Sequence, residues 1–423
     1  MLRRNGSIAD RRKRRVSRLL AAALALLALV PPASAQVDPE KRRLIQMGID
    51  QSLSGPSPEG AYLFYYINQP HFVRDDLTLR LAVAPVYIDS ELAMSSSPAH
   101  GGNILAVGLA GGGFADDYAE VRGGQYFRGE SFDGNSATIS ASLYRCLNPT
   151  QVMPLNLIAR LSAHSAVYWR TSQTQADFTL PPDHRDYKLR LGLRLGGIPP
   201  ELIPSRAGEL SLWYEPTSRD HSRTYGLNGD RTLELFTEVF WTRAAVAYRL
   251  KNGARFEASA IAGGTKNADR FDAFRIGGML PFSSEFPLGL PGYFNGELTV
   301  QRFALFGCRY SRPMVPNSSF HWEAFAYSAD VTFLQGLDQP RPWNSGVGGG
   351  LAFQSKARVW QAKLDYGYGI DAIRSGGRGA HSVALMLQLD LEAWRKKGIP
   401  ESRPYLEPNN PQSLDWARNL LKW

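Results

Sequence analysis

Apolar and polar residues alternate with period two through most of the chain. Tyr187, Leu189, Leu191, Leu193 and Leu195 are interleaved with Lys188, Arg190, Gly192, Arg194 and Gly196. Val383, Leu385, Leu387, Leu389 and Leu391 are interleaved with residues that include Ser382, Gln388, Asp390 and Glu392. The same rhythm runs through Ala137 to Leu143, Leu77 to Val83 and Trp360 to Tyr368. Period two places each set on one face of a β-strand.

Fourteen such strands are predicted: 61–68, 77–88, 103–113, 136–146, 155–170, 187–197, 207–215, 232–250, 255–264, 294–311, 320–334, 344–354, 358–370 and 379–391. Most exceed the usual length of about 5–6 residues in a soluble sheet. They suit the roughly 9–11 residues that cross a bilayer as a tilted strand. An open sheet edge in hydrocarbon would leave backbone N–H and C=O groups unpaired, so such strands must close. The predicted fold is therefore all-β, a transmembrane antiparallel β-barrel with apolar side chains toward lipid and polar ones toward a lumen. Tyr65, Tyr66, Tyr168, Trp169, Trp241, Tyr248, Phe333 and Tyr368 fall near strand ends and suit interfacial girdles.

Connections alternate in length. The short set is 147–154, 198–206, 251–254, 312–319 and 355–357, and the long set is 114–135, 171–186, 216–231 and 265–293. Short turns at one end and long loops at the other are expected of outer-membrane barrels. The stretch 89–102 is an exception, and two further strands could hide within 89–135. Val37 to Leu53 reads as a short periplasmic helix, Gly55 to Gly60 as a linker, 61–394 as the barrel and 395–423 as a periplasmic tail. Ser413 would cap a short helix in that tail.

Charge changes the picture only at the start. The 423 residues carry a formal net charge of +9, which invites a nucleic-acid reading. Eight Lys and Arg against Asp10 precede an apolar run, Leu19 to Val30, and the pattern Ala33-Ser34-Ala35. These features describe a secretory signal peptide over 1–35. Its removal takes the net charge to +2, and no nucleic-acid partner is expected. The expected surroundings are outer-membrane lipid and lipopolysaccharide, with a periplasmic protein a possible partner of the tail. Cys146 and Cys308 lie in different predicted strands; a disulfide between them is allowed but unforced, and two unpaired small side chains are the simpler reading.

The last third carries a resemblance. Phe274-Arg275-Ile276-Gly277-Gly278 precedes Leu290-Pro291-Gly292-Tyr293 and Gly296-Glu297. Arg309 to Met314, Gly346 to Leu351 and Lys363 to Tyr368 follow in order. Together these resemble the BamA-type superfamily of outer-membrane assembly and secretion barrels, also called the bacterial surface antigen family. The resemblance covers Phe274 to Leu391 and implies 16 strands. It also implies an external loop folded into the lumen, whose tip motif here is Phe274, Gly277, Gly278, Leu290, Gly292, Tyr293 and Glu297.

Two departures stand out. In the family, an arginine at the loop tip meets an acid in an F-x-D-x-G-type strand motif. Here the arginine position is Pro291, and Ser328 and Asp330 are the candidate lumenal partners. Losing both charges is coherent, because losing one would strand the other. The 25 residues between the predicted cleavage site and Ala61 leave no room for the family's periplasmic POTRA domains.

Enzymatic chemistry is not expected. Ser162 and His164 share a face that also carries Asn156, Arg160 and Arg170, which marks it as lumenal. The seven His show no metal-ligand spacing, and neither metal nor cofactor is predicted. Lys188, Arg190, Arg194, Glu234, Glu238, Lys363, Asp365 and Asp390 are read as inward-facing. The expected role is a non-enzymatic barrel for protein or lipid handling, with 265–293 in the lumen. A passive channel is the alternative, and a soluble secreted β-sandwich the third.

Overall fold

The computed structural model describes residues 40–96, 103–148, 153–282, 286–316 and 318–396. The predicted signal peptide and the tail from 397 onward lie outside the described residues. The chain forms a closed antiparallel β-barrel of 16 strands. The first eight are β1 (Arg42–Ser52), β2 (Gly60–Pro70), β3 (Leu77–Val83), β4 (Tyr87–Ser95), β5 (Ile104–Gly112), β6 (Phe132–Cys146), β7 (Leu155–Arg170) and β8 (His184–Gly197). The second eight are β9 (Arg206–Arg219), β10 (Phe236–Arg249), β11 (Arg255–Lys266), β12 (Leu298–Pro313), β13 (Phe320–Phe333), β14 (Trp343–Gln354), β15 (Trp360–Arg374) and β16 (Gly377–Asp390). Each pairs with its neighbour, and β1 pairs with β16 from Leu44↔Asp390 to Ser52↔Ser382 to close the wall. A short helix, α1 (Leu391–Arg395), follows; the Asp390 carboxylate caps it by accepting from Glu392 and Ala393 N–H.

Two strands were not in the predicted set of 14. The first is β1, where a helix was expected. Ile45, Met47 and Ile49 face outward and alternate with inward Gln46, Gly48 and Asp50. Leu44 points inward and is fully buried, so the adjacent Leu44-Ile45 pair blurs the alternation and resembles a helical stripe. The second is β4, which splits the exceptional stretch 89–102. The connection from β4 to β5 then falls on the short-turn end; the long-loop end keeps the four long connections but also carries two tight turns, 84–86 and 375–376.

The two faces of the wall differ as period two demands. Leu189, Leu191, Leu193, Leu212, Phe306, Leu364 and Leu385 are exposed on the outside. An apolar belt this extensive is unfavourable in water at about 25 cal/mol per Å² and is satisfied by hydrocarbon. Tyr248, Phe256, Phe320, Trp322 and Trp360 ring its short-turn end. Tyr87, Tyr187, Tyr214, Phe236, Phe240 and Trp343 ring its long-loop end. Of the aromatics expected in these girdles, Tyr66, Tyr168, Trp241 and Phe333 instead face inward, because they sit on the buried parity of their strands. No helix among the described residues is long and apolar enough to cross a membrane.

Long loops build a dome over one end. Phe178–Thr179, Thr224–Leu227 and Arg231–Thr232 form a three-stranded sheet. Beneath it Tyr118, Phe132, Tyr168, Phe178 and Tyr225 pack with Phe271. Arg231 bonds Glu130 and lies 3.5 Å from Glu120, tying two loops together. Cys146 and Cys308 are both free, one facing in and one out.

Candidate functional site

The lumen is occupied by the chain itself. The segment 267–297, between β11 and β12, leaves the long-loop end and packs on lumen-facing side chains. Its start is held by Arg219 on β9, which reaches Asp269 at 2.6 Å, Asp272 at 2.5 Å and Asp186 at 3.1 Å. Phe274–Ile276 then adds a short strand beside the start of β12, with Phe274 edge-on to Phe303. Gly277 N–H donates to Leu288 O, and Leu290 N–H donates to Gly278 O, both at 2.9 Å. The segment therefore folds back on itself as a tight ladder.

Its anchors lie on both sides of the closing seam. Met279 N–H donates to Asp50 of β1 at 2.7 Å. Gly292 N–H donates to Ser382 of β16 at 3.2 Å. Gly292 has φ +81, and a Cβ there would lie 1.9 Å from Gly369 N, so only glycine fits. Pro291 fills the hollow at Gly346, where a Cβ would lie 2.3 Å from Pro291 O. The glycines at 346, 348 and 350 thus form an inner track whose hollows are taken by Pro291, Phe325 and Asp365. Tyr293 OH donates to Asn344 at 3.2 Å.

The loop's ion pair has reversed polarity relative to the family pattern. Glu297 is on the loop, and Arg374 at the end of β15 donates to its two oxygens at 2.8 and 2.9 Å. The Arg374 guanidinium also stacks 3.7 Å from the Phe294 ring centroid. The candidate partners Ser328 and Asp330 lie elsewhere. On β13 the odd positions, Glu323, Phe325 and Ala329 among them, are the buried lumenal set. Ser328 and Asp330 are therefore on the outward face, with Ser328 bonded to Ser345 at 2.8 Å. Glu238 is likewise outward, bonded to exposed Tyr214.

Phe286 and Phe282 reach opposite walls. Phe286 packs against the stacked Trp213 and Trp241, at 5.5 and 5.2 Å. Phe282 packs edge-on to Tyr62 and Phe64 of β2, at 6.0 and 6.3 Å.

A second segment closes the other end, and nothing in the sequence marked it. The turn 198–205 between β8 and β9 crosses to the opposite wall. Gln388 accepts from Leu202 N–H at 2.8 Å and Gln361 from Ile203 N–H at 2.9 Å. Gln46 donates to Pro200 O at 3.1 Å, and Arg42 donates to Glu201 at 2.6 Å. Leu202 and Ile203 share one buried cluster with Met279, Leu280, Phe325 and Met386. The two crossing segments therefore contribute to one buried apolar cluster inside the barrel.

Most lumenal charges are paired locally rather than divided between a basic and an acidic wall. Glu323 is met by Arg309, by Lys363 at 2.9 Å and by Arg255 at 3.4 Å, and Arg309 also reaches Asp365 at 2.9 Å. Glu91 accepts from Tyr144 at 2.6 Å and Arg160 at 3.0 Å, with Arg80 3.4 Å away. His164 bonds Thr138 and Asp116, each at 2.9 Å, and makes no bond to Ser162. Outside the wall, burial pushes the Asp117 carboxyl up to about 6, and nearby Asp133 and Asp116 add to this. No His/Cys/Asp/Glu group that could hold a metal ion is present among the described residues.

No family model matches the sequence, and no curated protein does. Solved structures match by fold. CdiB from Acinetobacter baumannii superposes with a TM-score of 0.55 at 11% identity, covering 86% of this chain and 66% of that one. CdiB from Escherichia coli gives 0.54 at 12% identity, covering 84% and 63%. BamA from Haemophilus ducreyi, lacking POTRA domains 1–3, gives 0.51 at 11% identity, covering 88% and 78%. The chain spans less than two thirds of either CdiB chain. At these identities the likeness concerns architecture, and on it the chain has the 16-stranded barrel fold of BamA and CdiB.

Proposed function

We propose that this protein is a bacterial outer-membrane barrel with a non-enzymatic role in protein or lipid handling. Its lumen is closed at rest by 267–297 from one end and 198–205 from the other. The observation that carries this reading is the shared buried cluster of Leu202 and Ile203 with Met279 and Leu280. An apolar cluster across the lumen is poor construction for a pore that passes hydrated solutes. Barrels of the BamA and CdiB architecture support a role in the outer membrane. Outer-membrane lipid and lipopolysaccharide are the proposed surroundings, and a periplasmic protein is the proposed partner of the tail.

Planar-bilayer conductance tests the reading. The intact protein should conduct poorly, and deletion of 279–291 should open a large, steady conductance. A large conductance in the intact protein, unchanged by the deletion, would identify a passive channel instead.

A further inference from the structure

Between the two crossing segments the lumen retains a cavity of about 1340 Å³. Ligand sites typically occupy about 300–1,000 Å³ and are mostly apolar with a few fixed polar groups. Met279, Leu280 and Phe282 form part of its roof and Pro199 and Leu202 part of its floor. Tyr62 and Phe64 make an aromatic wall with Phe282. The facing wall is of small residues, including Ala245, Ser259 and Gly307.

Five cations line this chamber: Arg80, Arg160, Arg243, Arg309 and Lys363. Four have carboxylate partners within 3.4 Å, on Glu91, Asp365 and Glu323. Arg243 of β10 is different. Among the described residues it makes no ion pair and no hydrogen bond, and its Nε is shielded from solvent without an acceptor. Glu209, the acid diagonal to it across the β9–β10 ladder, accepts from Ser211 at 2.7 Å. Tyr62 OH, on the aromatic wall, is also shielded and unpartnered. An arginine cannot shed its charge, so a half-buried guanidinium whose Nε is shielded and unpartnered is stabilised when an anion reaches it.

We propose that the chamber binds an amphipathic monoanion of the fatty-acid class. The carboxylate pairs with Arg243, and the acyl chain lies along the Tyr62–Phe64–Phe282 wall under the roof. The inference concerns a resting ligand of the lumen and is independent of whether the barrel handles protein or lipid.

A diazirine-bearing dodecanoate, photolysed with the full-length protein in micelles, tests it by mapping labelled peptides. Label is expected on peptides carrying Met279 to Phe282 or Tyr62. Arg243→Met should lower that lumenal label by about tenfold or more, while label on the outward belt around Leu212 stays constant. The diazirine amine of equal length should label the belt only. In the wild-type protein, unlabelled dodecanoate should compete for the lumen at least about tenfold better than dodecanol, a comparison that stands even if Arg243→Met does not fold. Absence of lumenal label, or equal lumenal labelling by acid and amine, or equal competition by acid and alcohol, overturns the proposal. So does unchanged label in a folded Arg243→Met protein.

Discussion

The two segments that cross the lumen are held in different ways. The long one, 267–297, presses its backbone against wall glycines Gly346, Gly367 and Gly369 and ends on one charge pair, Glu297–Arg374. The short one, 198–205, has its backbone groups bonded by neutral amide side chains, Gln46, Gln361 and Gln388, beside one side-chain ion pair, Glu201–Arg42. Both solve one problem: a loop inside a barrel must satisfy its N–H and C=O groups away from bulk water. The long loop does so with special backbone positions, which leave a trace in sequence. The short turn does so with ordinary glutamines, which leave none.

Substitutions can break this contrast, the charge pair most severely. Arg374→Ala strands Glu297, which is 1% exposed, and should cost about 3–5 kcal/mol in urea unfolding. The double variant Glu297→Leu/Arg374→Leu should recover most of that loss. Equal losses in both would mean that packing on Phe294, not charge, fastens the loop. Next comes Gly292→Ala, which needs a left-handed backbone and displaces Gly369; about 2–4 kcal/mol is expected, with raised bilayer conductance. Gln388→Leu removes the acceptor of Leu202 N–H and should cost about 1–3 kcal/mol. If it instead opens the lumen as far as the 279–291 deletion does, the short turn is the principal closure.

The smallest effect is a pH dependence in the dome. Asp117 titrates at about 6 when folded, against an ordinary 3.8. A raised carboxyl stabilises the loop fully below the ordinary value, and that contribution disappears as pH rises through about 6. Hydrogen-exchange protection of 113–135 should therefore fall across that window, and Asp117→Asn should flatten the profile. A wild-type profile that is already flat would remove Asp117 from the account.

Much of the wall was legible from alternation alone. Strands β6, β7, β8 and β16 keep strict parity because one face meets lipid and the other the lumen. β1 was not legible, since inward Leu44 adjoins outward Ile45 and mimics a helical stripe. β4 was hidden by outward Ser90 and by a three-residue turn, Ala84-Pro85-Val86, with no glycine or asparagine. The loop tip showed in its glycines. Its partners did not: Arg374 lies 77 residues from Glu297, and only closure of the barrel brings them together. Ser328 and Asp330 misled because a motif match aligned them without fixing the parity of β13.

The seam anchors also order the events of assembly. Asp50 is 229 residues from the amide it accepts, and Ser382 is 90 residues from Gly292. One anchor belongs to the first strand and the other to the last, so the loop has no complete seat until the ends of the sheet meet. Contacts of such separation form late, after most chain entropy has been lost. Wall closure and lumen sealing are therefore a single late step, and a barrel caught before it would be open along its side and through its centre at once.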